Sequence, residues 1–264
     1  MENHSIGEKL EAFGRLLQIM DDLREQCPWD RKQTFETLRN LTIEETYELA
    51  DAILENNKDD IRKELGDLML HLVFYAKIGS ETNDFDIKSI LDTISEKLIF
   101  RHPHIFGDTD VQNSPEMVKK NWEELKIKEG NHSVLGGVPK SLPAMIKANR
   151  IQDKVSAMGF DWEEPAQVWD KVQEELNEFR REVVQMDKSR MVEEFGDLLF
   201  SVINAARLYH IDPETALEKT NRKFIKRFEY LEEKTLKKGM QLKNMTLDEM
   251  NKIWEEAKKR SPHS

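Results

Sequence analysis

Five acidic positions occur twice in this chain at a constant offset. Glu44, Glu45, Glu48, Glu64 and Asp67 return as Glu174, Glu175, Glu178, Glu194 and Asp197, each 130 residues later. Glu175 and Glu178 are three apart and share a helix face, as do Glu194 and Asp197. A short turn between the two helices lets both faces meet, so four carboxylates converge. Oxygen-only ligands of this kind suit Mg²⁺, with Mn²⁺ as a substitute, because such hard cations retain waters and bind phosphates. Without a cation the carboxylates repel one another, and some take up protons.

With 51 acidic residues in 264, an isolated acidic match carries little weight. The neighbours make chance a poor explanation. Glu64-Leu65-Gly66-Asp67-Leu68 faces Glu194-Phe195-Gly196-Asp197-Leu198, and Val73, Ala76 and Ile78 face Ile203, Ala206 and Leu208. An internal duplication accounts for acids, glycine and apolar positions keeping step. Glycine costs about 1 kcal/mol inside a helix, so Gly66 and Gly196 are expected where helices approach closely. A di-iron bundle is the rival reading, but such sites use Glu-x-x-His pairs. Here the fourth position is Asp67 or Asp197, and His71 is matched by Ser201.

Phosphate chemistry also needs cations. Lys97 and Arg101 form a KxxxR pair, repeated by Lys223 and Arg227; Trp122 and Lys126 form a WxxxK pair, repeated by Trp254 and Lys258. Spacing of four puts each pair on one helix face. The cations are suited to gripping a polyphosphate, and the tryptophan to stacking on a base or walling a pocket.

The elements that must position these groups are helical. Leu65, Leu68, Met69, Leu72 and Val73 follow the rhythm of one buried helix face, repeated by Phe195, Leu198, Leu199, Val202 and Ile203. Helices are expected near 5–25, 34–56, 58–79, 86–101 and 115–129, then 141–157, 165–186, 188–209, 212–238 and 246–260. No run alternates as a strand would. Gly130 to Pro143 carries Gly136-Gly137, Pro139 and Pro143, a mixture helices tolerate poorly. The division is therefore 1–130, a linker at 131–143, and 144–264. Breaks at Asn56-Asn57 and around Asp187 make an antiparallel helix pair in each half.

Charged residues are 34% and hydrophobic ones 38%, as in a helix-rich soluble protein. A net charge of -11 argues against a nucleic-acid surface. Cys27 is the one cysteine, so no intrachain disulfide forms, and without a CxxC partner it reads as structural. The start lacks the basic and apolar regions of a signal peptide, and no apolar run approaches the ~18 residues of a membrane span. A cytoplasmic protein without a membrane partner is expected. His102-Pro103-His104 reads as a helix end that packs locally, in preference to a metal site.

Glu-Glu-x-x-Glu followed by Glu-x-x-Asp, in both halves, resembles the MazG family of nucleoside triphosphate pyrophosphohydrolases, within the all-α NTP-pyrophosphatase superfamily. Supporting stretches are Cys27-Pro28-Trp29-Asp30, Arg101-His102-Pro103-His104 and Gly159-Phe160-Asp161-Trp162. The likeness spans nearly the whole chain. It implies an all-α protein of two tandem MazG-like helical bundles, assembled as a homodimer. It implies hydrolysis between the α- and β-phosphates of a nucleoside triphosphate, giving monophosphate and pyrophosphate. The family's metal ligands carry over to Glu175, Glu178, Glu194 and Asp197. Its nucleotide contacts carry over to Lys171, Glu175, Arg190, Glu193, Asp197, Lys223, Arg227 and Trp254. Glu174 is the candidate for taking the proton of the attacking water.

The halves are not equivalent. Lys171, Arg190 and Glu193 face Leu41, Asp60 and Lys63. The first half keeps its acids, Glu45, Glu48, Glu64 and Asp67, but loses two phosphate-holding cations. The C-terminal half is therefore expected to be the main catalyst. The N-terminal half is left as weakly active, selective for other nucleotides, or structural. The alternative for the whole chain is a catalytically weak regulatory module that binds nucleotides. Base and sugar preference are not set by these residues.

Overall fold

The computed structural model describes residues 4–109, 114, 117–118, 121–122, 125, 133–237, 239 and 241–260. Every regular element among them is helical. The chain divides by packing into two compact units, Met1–Asp110 and Val111–Ser264.

The first unit contains α1 (Ile6–Gln26), α2 (Phe35–Leu54), α3 (Lys58–Glu81), α4 (Ile87–Arg101) and the single turn α5 (Pro103–Phe106). Each long helix starts on a side chain that accepts from the first turn's free N–H groups: Ser5, Thr34, Asn57 and Asp86. α2 and α3 pack along their length, and α1 lies on α3. Met20, Leu38, Val73, Phe74 and Ile78 form the buried core. Gly79 is needed there, because a Cβ would stand 2.5 Å from the Phe85 ring. Arg24 fastens α1 to the end of α3 through Glu81, at 2.7 and 2.8 Å, and also donates to the carbonyl of Gln33 at 3.1 Å. His102 closes α4, with Nδ1 on the Leu98 carbonyl at 2.7 Å, and Pro103 opens α5.

The second unit contains α6 (Ala144–Ser156), α7 (Val168–Gln185), α8 (Lys188–Leu208), α9 (Pro213–Lys237) and α10 (Leu247–Arg260). α7 and α8 repeat the α2–α3 pair, α6 packs on α8 and α9, and α9 pairs with α10. The two acid-bearing pairs turn in the same way. Asn56 and Met186, 130 apart, both take left-handed backbone at φ 53° and 59°. The next residue caps the following helix: Asn57 accepts from the N–H groups of Asp59 and Asp60, Asp187 from those of Ser189 and Arg190.

The stretch expected to be a linker is partly tied down. The Val134 carbonyl accepts from buried Lys154 at 2.9 Å, and that of Lys140 from Lys147 at 2.6 Å. Packing groups its described residues with the second unit. The helix expected near 115–129 falls largely outside the described residues, and Lys126 falls wholly outside them.

Two sequence expectations need correction. The apolar stripes on α3 and α8 are not buried within the chain: Leu65 is 52% exposed, Leu72 56%, Phe195 47% and Val202 43%. Spacing encodes an apolar face but not what covers it. Only the inner positions, such as Val73 and Ile203, reach their own core. Nor do Gly66 and Gly196 admit a close helix, since a Cβ at either would meet nothing within 4 Å. They lie beside the exposed stripes.

Candidate active site

The left-handed turn at Met186 folds α8 back along α7 and brings their acids together. Ligand oxygens of Glu175, Glu194 and Asp197 lie within 4.8 Å of one another. Glu175 is buried, Glu194 half-buried and Asp197 exposed, so the cluster opens at one side. Glu178, one turn along α7, accepts from Arg181 at 3.0 Å and stands beside this trio. Its charge still acts on Glu194, whose pKa is raised by burial first and then by Glu178, Glu175 and Asp197.

Lys171 sits one turn before Glu175. Its ammonium lies 2.7 Å from Glu175 and 3.1 Å from Glu174, and these hydrogen bonds raise its pKa. A charged lysine therefore stands at the mouth of the acid cluster. The donor set is one a hard divalent cation would accept: three convergent carboxylates with solvent access and no sulfur or imidazole among them.

The first unit repeats the trio with Glu45, Glu64 and Asp67. Glu64 is 5% exposed, and its Oε2 is buried without a partner. Burial first, then Asp67 and Glu48, raises the pKa of Glu45. Lys63, the counterpart of Glu193, reaches Glu64 at 2.9 Å.

Beside the second trio lies a cavity of about 610 Å³, which includes Lys171, Glu175 and Asp197 in its lining. Its walls come from α6, the Gly159–Trp162 stretch, α7 and α8. Val155, Val168 and Phe200 supply apolar surface; Gln152, Asn204 and Arg207 supply polar groups. None of these six was singled out by the sequence. A signal existed in the repeat register: Asn204 faces Phe74, which is buried in the first unit's core, and Ser201 faces buried His71. Glu182, two turns beyond Glu175, was also missed; it is buried with Oε2 unpartnered, where the first unit has Ala52.

Other expected contacts lie elsewhere in the unit. Arg190 and Glu193 are exposed at the start of α8, with Arg190 3.8 Å from Asp187. Lys223 and Arg227 are half-buried on α9, and the Arg227 Nε has no partner. Trp254 on α10 packs against Phe224 at 4.9 Å between ring centroids. None of these five lines the cavity.

The sequence matches the MazG nucleotide pyrophosphohydrolase domain twice, over residues 33–106 and 163–231. The chain belongs to the MazG family. Both matched segments contain one acidic trio. Among similar proteins, the nucleoside triphosphate pyrophosphohydrolase/pyrophosphatase MazG of Thermotoga maritima is 44% identical, over 93% of this chain and 95% of its own length. The nucleoside triphosphate pyrophosphohydrolase of Escherichia coli K12 is 42% identical, over 95% of this chain and 98% of its own. The uncharacterized protein YabN of Bacillus subtilis is 43% identical over 95% of this chain, which spans 53% of that longer protein. Among the described residues no helix is long and apolar enough to cross a membrane.

Proposed function

We propose that the protein is a Mg²⁺-dependent nucleoside triphosphate pyrophosphohydrolase whose main site is in the C-terminal half. One observation carries this reading: the Glu175, Glu194 and Asp197 trio opens beside a cavity of about 610 Å³, with Lys171 between them. Two full-length relatives with this activity in their names support it.

Glu175, Glu194 and Asp197, with Glu178 turning from Arg181, would hold the cation. When bound, it supplies charge neutralisation on the phosphates and a more acidic water. Lys171 leaves Glu175 and grips a phosphate oxygen. Arg190, Lys223 and Arg227 hold the remaining phosphate charge, and Trp254 offers its ring for stacking on the base. Glu174, exposed and freed when Lys171 turns to phosphate, takes the proton of the attacking water. Cleavage falls between the α- and β-phosphates.

The first unit keeps a trio but fills the register positions of Ser201 and Asn204 with His71 and Phe74. That supports a division of labour in which only the second half takes up a nucleoside. The exposed stripes on α3 and α8 support a homodimer, since a second copy would cover them.

The test is product analysis with each common NTP and dNTP, in Mg²⁺ and in EDTA. Monophosphate plus pyrophosphate, lost in EDTA, is expected. Diphosphate plus orthophosphate would name a different bond, and no turnover would favour the nucleotide-binding module.

A further inference from the structure

The cavity is longer than the acid cluster needs. Asp197 and Arg207 both line it and stand ten residues apart on α8, so it follows that helix for roughly 15 Å. Lys171, Glu175 and Asp197 take one end; Arg207 and residues 159–162 take the other.

Arg207 is engaged by the protein. Its Nε and one Nη donate to Asn204 Oδ1 at 3.0 and 2.9 Å, and both Nη donate to Asp161, one of them at 3.0 Å. All three nitrogens are used and the side chain is 12% exposed, which suits a brace better than a phosphate receptor. Asp161 also accepts from Ser156 Oγ at 2.6 Å and from the Trp162 N–H at 3.0 Å. Burial pushes its carboxyl pKa up, but these hydrogen bonds outweigh burial and hold it below the ordinary value.

The backbone before Asp161 is equally fixed. Gly159 ends α6 in left-handed backbone at φ 86°, donating to the Ser156 carbonyl at 2.9 Å, and the Phe160 N–H reaches the Val155 carbonyl at 3.0 Å. In such an ending the residue after the glycine commonly packs an apolar side chain back on the helix. Phe160 does not: it is 81% exposed and borders the cavity. Trp162, on the other side of Asp161, borders it too. Two rings therefore flank one clamped carboxylate, at the end of the cavity away from the acids.

We infer that residues 159–162 form the nucleoside-binding wall of the site, with Phe160 and Trp162 as its contact surface and Asp161 as the positioning residue that sets them through Arg207. The inference rests on the reading that a nucleoside triphosphate binds with its phosphates at the acid end. Aromatic rings stack on the face that every base has, so this wall grips a nucleoside without choosing among bases. The first half lacks the clamp. At the offset kept by the helix ends Gln26 and Ser156, Asp161 and Arg207 face Arg31 and Lys77, two cations.

Phe160→Ala and Asp161→Asn test this. The readouts are kcat and KM for ATP, GTP, CTP and UTP, and calorimetric dissociation constants for the four monophosphates and for inorganic pyrophosphate in Mg²⁺. F160A removes an exposed ring and is expected to fold as the wild type does; circular dichroism checks both variants. KM for all four triphosphates is expected to rise about fivefold or more, as loss of base–aromatic stacking does, with kcat little changed. Monophosphate affinity is expected to fall in step in both variants, while pyrophosphate affinity keeps its wild-type value. A merely structural role would weaken both ligands together. Unchanged KM and monophosphate affinity in F160A overturn the inference, as does an equal loss of monophosphate and pyrophosphate affinity in D161N. In either case the catalytic reading stands. No turnover of any triphosphate by the wild type overturns both.

Discussion

Lys171 donates to Glu175 across one turn of α7, at 2.7 Å. A buried acid of the trio is thus already paired with a cation of the protein. A divalent ion that took the same oxygen of Glu175 would displace that ammonium and free it for phosphate.

Lys171→Met separates these two roles. Without its competitor, Glu175 is expected to bind Mg²⁺ more tightly in the absence of nucleotide, by about fivefold, the equivalent of ~1 kcal/mol for a pair whose lysine is exposed to solvent screening. The same variant loses its grip on phosphate, so KM for the triphosphate rises. Calorimetric Mg²⁺ titration and steady-state kinetics read the two effects. Weaker Mg²⁺ binding in the variant would show that Lys171 does not compete for Glu175.

The two halves are told apart by paired substitutions. Glu175→Ala with Glu178→Ala is expected to lower kcat by at least about a thousandfold, as loss of charge stabilisation at the reacting centre does. Glu45→Ala with Glu48→Ala is expected to leave most of the activity. The reverse outcome would move the main site to the first unit.

Removing metal has a pH signature. Glu45 and Glu194 both have raised carboxyl pKa values, by burial first and then by neighbouring carboxylates. A carboxyl raised in the folded state keeps its proton where the unfolded chain has lost it. Stability of the metal-free protein therefore falls as pH rises from the ordinary value of 4.5 through the raised one, and stays lowered at neutral pH. A bound cation removes the repulsion. The gain in Tm on adding Mg²⁺ should exceed that at pH 5 by about 2–4 °C when measured at pH 7.5. Equal gains at both pH values would separate the stabilising site from these acids.

Gly79→Ala tests the first unit's packing. The added methyl would stand 2.5 Å from the Phe85 ring, which also lies 5.9 Å from the Phe35 ring. The expected cost is about 1–3 kcal/mol, typical of overpacking, read by chemical denaturation. Phe85→Leu should recover part of it. A neutral Gly79→Ala would show that the ring moves aside freely.

Much of the candidate site was legible because helical period and repeat register are both properties of one strand of sequence. Glu175 with Glu178, and Glu194 with Asp197, are local pairs, and the turn at Asp187 made their meeting computable. The cavity was not legible in this way. Gln152 comes from α6 and Asn204 and Arg207 from α8, and each is an ordinary polar residue where it stands. Their roles depend on what they meet across the fold: Gln152 donates to the Phe200 carbonyl, and Arg207 to Asp161. The exposed stripes were misread for a related reason. Leu65, Leu72, Phe195 and Val202 announce an apolar face, but α3 and α8 bury only its inner edge within the chain.

Asn56 and Met186 share a dihedral and nothing else. One is a residue that tolerates left-handed backbone well; the other is a flexible thioether that gains nothing from it. The same bend therefore forms with either side chain, and the cost that Met186 carries there falls on the half that holds the candidate site.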